Sequence, residues 1–166
     1  LVGAYLAVPL LGRGAALALH VTFAAYGFMG LLALGLSYIL VPMFALSATP
    51  DEARARQSLV LAVVALLLAA AAAAGVAPLP VRIGALAAGA AAVALHWRLM
   101  DIALKTGMRR NLGRSVLLMR IGWAFLAASL AAGLGVVVEV PFDGMAALFG
   151  LLLVAGWLLT FLLGVL

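Results

Sequence analysis

Cysteine is absent from this chain. That excludes disulfides, thiolate-bound clusters and a covalent C-x-x-C-H haem attachment. Charge is scarce too: 9% of the 166 residues are charged, and only five are acidic. No pair of carboxylates falls within an apolar run, which removes the usual proton relay of a membrane transporter. No catalytic triad, phosphate-cradling loop or nucleic-acid motif is present, and no loop is long enough to be a separate domain. What remains is apolar, with 69% hydrophobic residues and a mean hydropathy of +1.34. A soluble domain of this size could not cover such a surface with polar groups. The fold class expected is all-α, a polytopic transmembrane helical bundle.

The runs are long enough to define spans. A stub over 1–12 is too short to cross a bilayer and lacks the basic start and cleavage site of a signal peptide. It reads as the tail of a helix, and the chain as an excerpt of a longer protein forming a single transmembrane domain. Five spans follow, near Gly14–Ser47, Ser58–Ala77, Pro80–Leu104, Ser115–Val138 and Met145–Leu166. Thr49-Pro50-Asp51-Glu52 reads as a helix start with a cap, a first-turn proline and a capping-box Glu. Pro78-Leu79-Pro80 and Pro141-Phe142-Asp143-Gly144 read as tight turns. The Ala-rich stretch Ala69–Ala74 makes the second span thin and suited to close packing.

The net charge of +5 could suggest nucleic acid, but the basic residues sit in loops and at span ends. One side carries Arg54, Arg56, Arg98, Lys105, Arg109, Arg110, Arg114 and Arg120. The other carries Arg13 and Arg82, with Glu139 and Asp143. Eight basic residues against two place loops 48–57 and 105–114 in the cytoplasm. The environment expected is membrane lipid in a bacterial inner membrane, with no nucleic-acid partner.

His20 is the most informative side chain. It lies in ALALHVTFAAYGFMGLLALGLSYILVPMFALS, which contains no Asp, Glu, Lys or Arg. An imidazole in a span is costly unless something satisfies it, and it is the commonest metal-binding side chain. Along its helical face follow Ala24, Gly27, Leu31 and Gly35, mostly small. That strip leaves room for a flat ligand or for a close helix. The bland alternative is a histidine bonded to a neighbouring helix. His96 in HWRLMD reads as interfacial, with Trp97 at the headgroups and Arg98 pairing Asp101 at i,i+3. Arg120 reads as snorkelling to the cytoplasmic surface. Gly27-Phe28 with Gly35 recurs as Gly156-Trp157 with Gly164, at an offset of 129 residues, hinting at a four-helix repeat. The counterpart of His20 in that repeat is Phe149.

An A-x-H-type start, a glycine-studded apolar helix, then Tyr38-Ile39-Leu40-Val41-Pro42-Met43 with Pro50-Asp51 beyond, resembles the second helix of haem-copper oxidase subunit I. The likeness covers residues 18–51 and is topological elsewhere. It implies a haem-copper-oxidase-like fold, with the five spans standing for helices two to six. It also implies that His20 is an axial ligand of a haem, with Ala24 and Gly27 packing beneath it. The family's copper-binding His and its redox Tyr have no equivalent in the fifth span, so copper is not implied. The function expected is electron transfer or gas sensing, beside other respiratory-type membrane subunits. A haem-free structural or assembly subunit, and a transporter built from four-helix repeats, remain open.

Overall fold

A computed structural model describes residues 2–109, 113–138 and 140–165. Arg110 and Glu139, both used above to orient the chain, lie outside the described residues. Five helices are long and apolar enough to cross a membrane: Gly12–Ala45, Glu52–Ala73, Leu79–Thr106, Gly113–Val137 and Met145–Val165. No strand occurs among the described residues. The outward faces carry Leu17, Phe28, Ile39, Leu67, Leu117 and Leu163, all exposed. A surface this apolar is at home against acyl chains rather than water. The chain is an all-helical bundle of the integral-membrane type.

The helix ends follow local chemistry. Gly12 has φ 78°, which only glycine adopts cheaply, and it breaks the stub from the first span. That span ends at Leu46 in the left-handed region, where the Ser47 amide donates to the Pro42 carbonyl at 3.0 Å. The second span starts at Glu52, not at Ser58. Its cap is Asp51, whose carboxylate accepts from the Arg54 amide at 2.9 Å, so Thr49 and Pro50 stay outside the helix. Pro80 sits in the first turn of the third span, where its missing N–H costs nothing. The Arg109 amide donates to the Ala45 carbonyl at 3.2 Å, tying the ends of the first and third spans together on one side of the bundle.

Two spans widen part-way along. Thr22–Gly30 in the first and Leu152–Leu159 in the fifth are π-helical, with hydrogen bonds spaced one residue further than in an α-helix. They lie at nearly the offset of 129 residues seen between the glycine pairs. They also touch: Trp157 packs over Gly30, and Tyr26 stacks on Trp157 with centroids 5.9 Å apart.

The second and third spans pack along their length, as do the fourth and fifth. Ser58 is fully buried and donates to the Ala92 carbonyl at 3.0 Å, pinning the first of these pairs. Glycine sets the second pair. A Cβ on Gly122 would stand 3.2 Å from the Phe161 amide nitrogen, and one on Gly164 only 2.9 Å from that of Met119. Backbones in near contact maximise dispersion where lipid offers no hydrophobic drive. Gly164→Ala is therefore expected to cost about 1–3 kcal/mol by overpacking. Gly150→Ala, whose Cβ meets nothing within 4 Å, should be neutral or better. Thermal unfolding of both variants in one detergent checks the contrast.

Candidate functional site

His20 occupies the last α-helical turn before the first span widens. It is half-buried, and among the described residues nothing hydrogen-bonds its ring. Ala24, beside it, is exposed. Gly27 is buried instead: a Cβ there would meet Leu66 of the second span at 3.2 Å. At Gly35 a Cβ would meet nothing within 4 Å. The strip drawn for a 3.6-residue helix thus splits into an open part at His20 and Ala24, a closed part at Gly27, and a second open part at Gly35. The π-helical segment explains the break, because an extra residue per turn rotates Gly27 off the line of His20. No signal in the sequence marks that widening.

A cavity of about 250 Å³ lies between all five spans. Alanines at helical spacing on the second span, Ala62, Ala65, Ala69 and Ala72, form one wall, and Leu130, Phe149 and Trp157 form others. Thr22 and Arg82 also line it, and the Tyr26 hydroxyl stands 3.5 Å from the Ser129 hydroxyl. His20 does not line it, although Phe149, its counterpart in the repeat, does. A volume below about 300 Å³ is small for a drug-sized ligand and too small for a macrocycle. A haem on His20 would have to lie on the outer face of the bundle.

His96 departs from the sequence reading. It is 1% exposed, not interfacial. Tyr38 of the first span and Trp123 of the fourth meet its ring edge-on, with centroids 5.2 and 5.4 Å away. Neither ring nitrogen has a hydrogen-bond partner among the described residues, nor has the Tyr38 hydroxyl. The reason is helical phase. Ala92, Val93, His96, Leu99, Met100, Ala103 and Leu104 are all buried and recur every three or four residues, so His96 turns inward with them. Trp97, one step on, is exposed. That apolar stripe was visible in the sequence, but the neighbouring Trp97 and Arg98 obscured it. His20 and His96 stay apart: measured from the shared loop end, their depths differ by about 20 Å by helical rise.

The expected Arg98–Asp101 pair is also replaced. Lys105 Nζ lies 2.6 Å from one Asp101 oxygen, and Arg120 reaches the other at 3.9 Å. Among the described residues no group of three or more metal-binding side chains comes together. Comparison with protein-family models, curated proteins and solved structures gave no match.

Proposed function

We propose that this chain is a haem-copper-oxidase-like membrane module that carries a haem on its first span, with His20 as an axial ligand, for electron transfer or gas sensing. One observation carries the reading. The imidazole sits on an apolar span, has no hydrogen-bond partner among the described residues, and stands beside exposed Ala24. An intramembrane imidazole left unsatisfied is unfavourable, and an iron bond would satisfy it. The residues fit the group through this one ligand, the second coming from outside the described residues. A bound haem would supply one-electron redox chemistry or a site for a diatomic gas. The protein's part is to hold the iron and keep water from it. Copper is not part of the proposal, since the fifth span carries no His to bind it.

The basic asymmetry supports a location in the bacterial inner membrane with the Arg109 end in the cytoplasm. Single cysteines at the exposed positions Thr49 and Asp143 test this with an impermeant thiol reagent in intact cells. Labelling of the second alone is expected, and labelling of the first alone reverses the orientation. A second reading, a transporter of four-helix repeats, is favoured by the cavity between the two π-widened spans. A reduced-minus-oxidised spectrum of the purified protein separates the two. A low-spin haem signal is expected, and colourless protein from haem-replete cells would overturn the haem.

A further inference from the structure

A cleft of about 440 Å³ lies between the third and fourth spans toward their basic end. Trp97, Arg98, Asp101 and Leu104 line it from the third span, Arg120 and Trp123 from the fourth. Both arginines lie roughly 10–12 Å from the ends of their helices by helical rise. At that depth a guanidinium is costly unless it reaches the interface or meets an anion. The protein supplies little of the anion. Asp101 is the one carboxylate in the cleft, and Lys105 already holds it at 2.6 Å. Arg120 has only the 3.9 Å approach to the same group, and Arg98 has no ion pair among the described residues.

We infer that this cleft binds the phosphodiester headgroup of an anionic phospholipid, with Arg98 and Arg120 as its ligands. Among the described residues, Arg98, Arg120 and the adjoining Lys105 against one carboxylate leave an excess of two positive charges at the cleft. Guanidinium forks match phosphate oxygens in geometry as well as in charge. The rest of the site suits the lipid body. Trp123 and Leu104 are buried and make an apolar floor, while half-exposed Trp97 stands at the rim. The flanks at Ile102, Leu117 and Ile121 are exposed and apolar, so the cleft opens sideways onto acyl chains. Inorganic phosphate would use the arginines but leave that floor empty. Basic pockets between transmembrane helices select acidic lipids on the same grounds. The inference does not depend on haem or on orientation.

The test is thermal unfolding of the delipidated protein in neutral detergent, titrated with phosphatidylglycerol, phosphatidylcholine of the same chains, or inorganic phosphate. Native mass spectrometry counts the lipid retained. One phosphatidylglycerol per chain and a saturable rise in Tm are expected, with no rise from the other two. R98Q/R120Q should weaken that binding by about tenfold or more. R54Q/R56Q, at the same end but outside the cleft, should leave it unchanged. R98Q alone, whose arginine makes no ion pair among the described residues, should show part of the loss even if the double variant fails to fold. Equal binding of phosphatidylcholine, a full effect from phosphate alone, or unchanged affinity in R98Q would each overturn the assignment.

Discussion

Replacing His96 by alanine is expected to leave the bundle about 3–5 kcal/mol less stable than replacing it by phenylalanine, which should cost little or even stabilise it. The ring is buried between Tyr38 and Trp123, with fully buried Met100 one turn on, so alanine leaves a hole that three spans must share. In a bilayer the loss is one of packing contacts rather than of water exclusion. Against it stands a gain. Two unpartnered nitrogens in an apolar setting each carry a desolvation cost of roughly 1–3 kcal/mol, and alanine removes it. Phenylalanine keeps most of the ring's contacts and removes the same cost, which is why the two variants should diverge. Chemical or thermal unfolding of both in one detergent reads the difference. Should phenylalanine prove as damaging as alanine, the nitrogens are bonded to a water or a ligand, and the account of an orphaned imidazole fails.

The spans themselves were legible because length and hydropathy alone decide them. Their starts were less so. The Thr49–Glu52 signals marked a helix start ahead of the apolar run at Ser58, but the cap is Asp51, so Thr49 and Pro50 stay outside the helix. The π-helical segments left no compositional trace, since an i→i+5 ladder uses the same apolar residues as an α-helix. Yet they decide the candidate site. Without the widening, Gly27 would share a line with His20, and with it Gly27 takes the Leu66 side chain instead. Pairing across spans was equally hidden. Tyr38 shares a nominal face with His20, but it meets His96, because the third span packs against the lower half of the first. Asp101 takes Lys105 at i,i+4 rather than Arg98 at i,i+3, and that exchange is what frees the arginine of the cleft.

His20→Ala should abolish the low-spin haem absorbance of the purified protein, or convert it to high spin, with little change in stability. The first effect follows from losing an axial bond while exposed Ala24 beside it remains. The second follows from what the imidazole lacks: no hydrogen bond to it exists among the described residues, and it is half-buried, so the bundle loses little. A change within about 0.5 kcal/mol in the haem-free protein is expected for such a site. That pairing separates a ligand from a structural histidine, which would move stability and leave the spectrum alone. His96→Ala supplies the inverse control. It lies about 20 Å away along the bundle by helical rise, so it should leave an iron at His20 unaltered. An unaltered spectrum in His20→Ala would leave the first span's imidazole to some other partner and end the case for haem on this face.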